Sequence, residues 1–242
     1  MKTSYKLRAL AFMTLATVFI AGCSTTPSGP TTTTPTTHTL KTGDSFTFHD
    51  TSLDTNGVLI PGSDSVEIFY TTATGQTYMG RTDVTFLVAN KDTSRVAQLP
   101  NEGIARYQDP ITVLGFIIPG VWVSTDTLTS SKTFFDSTAT ATVSGVAATV
   151  HATITASRGS DATLVPVSGS TAVKVHRYIK VVKVVVDIPA FSNTSTTTAT
   201  ITYLYAPSIG YFTSVSDSNY SDSKQSPIPN GTNNQVLTSY SE

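Results

Sequence analysis

The side chains best able to do chemistry in this 242-residue chain are few: His38, His49, His151 and His176, the single cysteine Cys23, and three glutamates, Glu67, Glu102 and Glu242. No two histidines stand at metal-ligand spacing, so they read as ordinary strand residues and not as a zinc site. The run Asp50-Thr51-Ser52-Leu53-Asp54-Thr55-Asn56-Gly57 alternates oxygen side chains as the first half of a calcium loop does. Its second half fails, because Thr55 stands where the loop needs glycine and Pro61 where it needs a bidentate glutamate. The stretch therefore reads as a polar turn made by Asn56-Gly57. No G-x-S-x-G elbow occurs, and a glycosidase-type carboxylate pair would have to rely on aspartates that nothing marks. The sequence thus assigns no catalytic residue, no metal and no cofactor, and the chain is read as not an enzyme.

Cys23 is different because of what precedes it. Lys2, Lys6 and Arg8 are followed by an apolar run from Ala9 to Ala21, the charged and apolar parts of an export signal. As a helix that run would extend ~20 Å against ~30 Å of hydrocarbon, too short for a membrane span. It ends Ile20-Ala21-Gly22-Cys23, which resembles the lipobox of bacterial lipoproteins. The resemblance implies a diacylglyceryl group on the Cys23 thiol and cleavage after Gly22, leaving the mature chain on a membrane through its N-terminal lipid. It also explains a lone cysteine in an exported chain. Ser24 is not the aspartate that retains such proteins in the inner membrane, so the resemblance favours the outer membrane, on its periplasmic or surface face.

Removing residues 1–22 takes Lys2, Lys6 and Arg8, leaving 12 basic against 16 acidic residues and a net charge of −4. With no basic stripe and no glycine-rich phosphate loop, nucleic acid is disfavoured as a partner. Residues 23–39 are rich in Ser, Thr and Pro, have nothing to bury and are expected to form a disordered tether. Residues 40–220 carry the period of strands. Phe46 and Phe48 alternate with polar residues, as do Val66, Ile68 and Tyr70, then Val84, Phe86 and Val88, each set expected on one face of its strand. Stretches 137–143 and 146–156 flank Ser144-Gly145 as a hairpin, and further strands are expected near 171–187, 196–206 and 210–216. In the first of these the polarity inverts beyond Val182, which suggests a bulge or a change of covered face. The expected fold is all-β: one antiparallel domain of about ten to twelve strands at the usual spacing, a curved sheet or open barrel or a β-sandwich. Residues 221–242 are expected to be a loose tail.

The most apolar stretch is 111–123, with the only tryptophan, Trp122. One reading makes it two core strands broken at Pro119-Gly120; the other makes Phe116, Ile117, Ile118 and Trp122 an exposed lip for a ligand or bilayer. Near the end, Tyr203-Leu204-Tyr205-Ala206-Pro207-Ser208-Ile209-Gly210-Tyr211-Phe212 resembles a terminal hairpin of exported β-rich lipoproteins of uncharacterised function; no active site comes with it. Two functions remain open. The domain either binds a lipid or other hydrophobic molecule on a curved sheet, or is a filled β-sandwich displayed on its tether to meet an envelope protein. A cavity of ~300–1,000 Å³ between the inward side chains would mark the first.

Overall fold

A computed structural model describes residues 37–90, 93–124, 130–143, 145–222 and 230–242, with the backbone alone for 121–124 and 143. Gly22 and Cys23 lie outside the described residues, as does the Trp122 side chain. The chain forms β1 (Ser45–Leu53), β2 (Ser65–Tyr78), β3 (Arg81–Val88), β4 (Thr93–Leu99), β5 (Gly103–Tyr107), β6 (Ile111–Val113), β7 (Phe116–Ile118), β8 (Val121–Ser124), β9 (Lys132–Val143), β10 (Val146–Arg158), β11 (Ala162–Leu164), β12 (Val173–Ile188), β13 (Asn193–Ala206), β14 (Tyr211–Ser221) and β15 (Gly231–Ser241). No α-helix occurs among the described residues; a single 3-10 turn, Pro189–Phe191, joins β12 to β13.

The protein is all-β, as its period-two pattern requires. One large antiparallel sheet runs β8-β5-β4-β3-β2-β1-β15-β14-β13-β12-β10-β9, with β11 paired to β12 and β6-β7 as a separate hairpin. The sheet is not closed into a barrel. It curls so that β4 and β5 lie over β12–β14: Val96 and Ile104 share one core with Tyr178, Tyr203, Tyr205 and Phe212, joined by Phe46, Phe48 and Leu237. Strand β5 is buried on both faces, because Ala105 and Tyr107 enter a second, smaller core with Val84 and Ala97, under Tyr78 and Phe86.

Several local expectations hold. Strands β9 and β10 pair as the expected hairpin, Val143 opposite Val146, with Gly145 at φ +81°; Ser144 lies outside the described residues. The Asp50–Gly57 run ends in a turn led by Asp54, whose carboxylate accepts the amides of Asn56 (2.8 Å) and Val58 (2.9 Å).

Others are corrected. Residues 231–241, expected loose, are strand β15, hydrogen-bonded on both sides to β1 and β14. Just before it, Asn230 clasps the Ser221 backbone in both directions. The disordered tether expected to reach residue 39 ends sooner, because His38 and Leu40 are already fixed. The His38 amide donates to Pro207 O, and Gln98 bonds both His38 O and the Leu40 amide. Val66, Ile68 and Tyr70 face outward, 39–65 % exposed. The register decides this, since Phe46 stands opposite Phe69 and paired residues share a face. The polarity change along β12 is neither a bulge nor a switch. Its pairing with β10 and β13 runs without a shift, and the inward face stays even-numbered, through His176, Tyr178, Lys180, Val182 and Val184. The stretch 111–123 turns at Leu114-Gly115, both at positive φ as a type I′ turn needs. The expected break at Pro119-Gly120 is also present, between β7 and β8, and Gly120 is in addition a close approach, where a Cβ would stand 2.0 Å from Gln108 O.

The β6-β7 hairpin lies on β10 and β12. Ile118, 1 % exposed, packs with Ala152, Ile154, Val182 and Val184, while Ile117 points out at 62 %. We therefore predict that Ile118→Ala lowers the unfolding free energy by ~2–5 kcal/mol and Ile117→Ala by under ~0.5 kcal/mol, as read from urea denaturation.

Candidate functional site

Opposed residues on antiparallel strands project from one face, so the ladder can be read as rungs across the inside of the curl. One rung runs Phe48, Leu237, Tyr205 and His176. The next runs Asp50, Gln235, Val215, Tyr203 and Tyr178, and the third Ser52, Asn233, Asp217, Ile201 and Lys180. From the first rung to the third the inward positions thus pass from mostly aromatic to mostly polar, Phe48 giving way to Asp50 and Ser52 in β1 and Tyr178 to Lys180 in β12, with Ile201 in β13 the apolar exception. From the opposite side β5 contributes Arg106, whose guanidinium lies over the rings of Tyr203 (5.4 Å) and Phe212 (5.7 Å). Gln108 follows it and accepts a hydrogen bond from Lys180 Nζ at 2.9 Å.

Between these groups is a half-open cavity of about 250 Å³, lined by Asp50, Arg106, Gln108, Tyr203, Asp217 and Gln235 among others. Its charges sit where water is scarce. Burial pushes the Asp50 carboxyl up, against a hydrogen bond from Gln235, and pushes Asp217 up against Asn219 and the nearby Lys180 and Arg106. Burial, with Arg106 beside it, brings Lys180 down to about 8. One oxygen each of Asp50 and Asp217 is buried with no hydrogen-bond partner among the described residues, a costly state that asks for a reason.

A second polar cluster ties the layers together. His176, 1 % exposed, donates from Nε2 to Glu102 at 2.7 Å, while its Nδ1 lies 3.0 Å from Asp161 and 2.6 Å from Nη2 of Arg158. Burial raises the Asp161 carboxyl, but the hydrogen bonds from Arg158 and His176 outweigh it and hold it at about 2. Glu102 sits in the β4-β5 turn at φ +60°, a conformation costly for a residue with a side chain. Its bonds to His176 and Lys174 hold it there.

Of the residues singled out in the sequence, Phe116 is half-buried against Phe135 at 6.1 Å, Ile118 is core and Ile117 is exposed. Trp122 stands opposite Arg106 in the β5-β8 ladder. Phe116, Ile117 and Ile118 thus do not share one exposed face. His49 pairs with Asp64 and His151 with Asp136 on exposed faces. Among the described residues no Ser or Thr hydroxyl bonds to a histidine, and no three metal-binding side chains converge. The Tyr203–Phe212 motif is core and anchor. Tyr203, Tyr205, Ile209, Tyr211 and Phe212 are buried, and Gly210 lies so near His38 O that a Cβ would stand 2.8 Å from it.

The sequence reading missed Asp50, Arg106, Gln108 and Asp217. The available signal was a charge two residues beyond an inward aromatic, as Asp50 follows Phe48. Comparison with protein-family models, curated proteins and solved structures finds no match for this chain.

The lowered Lys180 gives a pH signature. In the unfolded chain it titrates near 10.5 and in the fold near 8. The fold therefore bears the cost of charging Lys180 at all pH values below about 8, and the cost fades as pH rises towards 10.5. We predict that Lys180→Met stabilises the domain by ~1–3 kcal/mol at pH 7, measured by denaturation, and that the gain shrinks at pH 10.

Proposed function

We propose that the chain is a lipid-anchored protein of the bacterial cell envelope, held at the outer membrane through Cys23, and that its β domain is a non-catalytic binding module for a small, net-neutral, hydroxyl-rich solute. The observation that carries the binding reading is the cavity at Asp50, Arg106 and Asp217. Two carboxyls and two cations, Arg106 and Lys180, cancel there, so the site has no net charge to match. Gln108, Asn233 and Gln235 offer donors and acceptors together, which a hydroxyl can meet and an alkyl chain cannot. At about 250 Å³ the cavity falls below the ~300–1,000 Å³ of sites for larger ligands.

A lipid or other hydrophobic ligand finds less support. The space it would need inside the curl is occupied by Phe46, Phe48, Tyr178, Tyr203, Tyr205 and Phe212, each under 3 % exposed. The anchor rests on the lipobox resemblance, and the strapping of His38 and Leu40 fixes where the chain that follows Cys23 enters the domain.

Saturation-transfer NMR with glucose, glycerol and lauric acid as probes tests the binding reading. Signal on glucose or glycerol, weakened ~10-fold in Arg106→Gln for loss of a charged hydrogen bond, is the expected result. Signal on lauric acid alone would return the reading to a hydrophobic ligand. For the anchor, Cys23→Ser should leave an unprocessed or membrane-free chain on fractionation; a mature-sized variant that still pellets with membranes would remove the lipoprotein reading.

A further inference from the structure

The two ends of the large sheet are unequal. One end is β8, Val121–Ser124, four residues long. The other is β9, Lys132–Val143, twelve residues long, and among the described residues nothing pairs with its outer edge. An edge strand presents a row of unpaired amides and carbonyls, and proteins commonly blunt such edges by shortening them or by charging them. Among the described residues β8 is short. In β9 the charges Lys132 and Asp136 stand at one end only, and Ser137-Thr138-Ala139-Thr140-Ala141-Thr142-Val143 carries none. This run contains no proline or glycine and is rich in residues that favour the pleated backbone.

The run is nearly self-complementary. Thr138, Thr140 and Thr142 are exposed on one face, while Ser137, Ala139 and Ala141 are half-buried on the other. A two-fold axis through Thr140 would place Thr138 opposite Thr142, Ala139 opposite Ala141 and Thr140 opposite its own copy. Like faces then meet, small side chain against small and threonine against threonine, pairs that favour a sheet. The same axis overlays the whole uncharged run on itself. It also keeps the two Asp136 carboxylates about 27 Å apart along the strands, at ~3.4 Å per residue.

We propose that the protein forms a two-fold dimer in which β9 pairs antiparallel with β9 of a second copy, centred on Thr140, to make one continuous sheet. A second copy is the occupant that fits because an isologous contact uses the long edge twice and closes. Joining β9 to β8 of the next copy would pair two unlike edges and would propagate as an open filament.

Single cysteines at Thr138, Thr140 and Thr142 in the full-length, membrane-anchored protein test the register, with the parent chain as the control for Cys23. Opposed Cα atoms lie ~4.5–5.5 Å apart, within disulfide reach. Residues two positions off the axis stand ~14 Å from their own copies. Oxidation should therefore cross-link Thr140→Cys about tenfold more than Thr138→Cys or Thr142→Cys. Thr140→Lys should weaken the dimer in sedimentation equilibrium of the detergent-solubilised protein, because like charges would then face each other. Mixing Thr140→Lys with Thr140→Glu should restore it as a heterodimer. Equal cross-linking at all three positions, a monomeric parent, or a Thr140→Cys adduct whose mass is that of a different protein would each overturn the proposal.

Discussion

The fold depends on the pairing of its last strand. Strand β15 lies between β1 and β14, and among the described residues it is the only link in the ladder between the half that runs β8 to β1 and the half that runs β14 to β9. Its register with β1 extends from Ser45 opposite Ser241 to Leu53 opposite Thr232, and with β14 from Ser214 opposite Val236 to Asn219 opposite Gly231. Without it each half would present an additional long edge. The inward rungs would also be cut through their middle, since Leu237, Gln235 and Asn233 are the residues that carry them from β1 to β14. Contacts this distant in sequence carry a loop-closure cost that local pairs avoid, and folding is slower for it.

From that junction the character of the interior follows. In the main core aromatic rings fill the space: Tyr211 lies 4.9 Å from Phe46 and 6.0 Å from Phe48, and Phe212 packs against both Tyr203 and Tyr205. Over the next two rungs the inward positions include Asp50, then Asp217 and Lys180, and Arg106 descends onto them from β5. Groups of that kind raise the free energy of the fold when buried, and an apolar replacement of similar size would ordinarily make the domain more stable. Stability therefore does not account for this arrangement, and the binding function proposed above rests on that. The His176 cluster is of the other sort, because its members satisfy one another and join the β4-β5 turn to β12.

The strand content, the Ser144-Gly145 hairpin and the Asp54 turn were legible because period-two alternation and turn chemistry are local properties. What stayed hidden depended on pairing across the sheet. Nothing within Val66–Tyr70 says which face is inward, and Phe46 opposite Phe69 does. Polarity, the only local guide, would put His176 and Lys180 towards water; partners more than seventy residues away, Glu102 and Gln108, lie over that side, and both residues are buried. Residues 231–241 read as tail because Gly231-Thr232-Asn233-Asn234-Gln235 is polar. A strand flanked on both sides takes its backbone bonds from its neighbours and needs few apolar side chains of its own.

Hydrogen exchange followed residue by residue tests the central place of β15 directly. If the strand joins the two halves, the amides of Thr232 to Tyr240 open only with the whole domain, and their protection should match that of Tyr203 and Tyr205 in β13. Exchange of those amides at the rate of an unstructured chain, while β13 stays protected, would contradict the account.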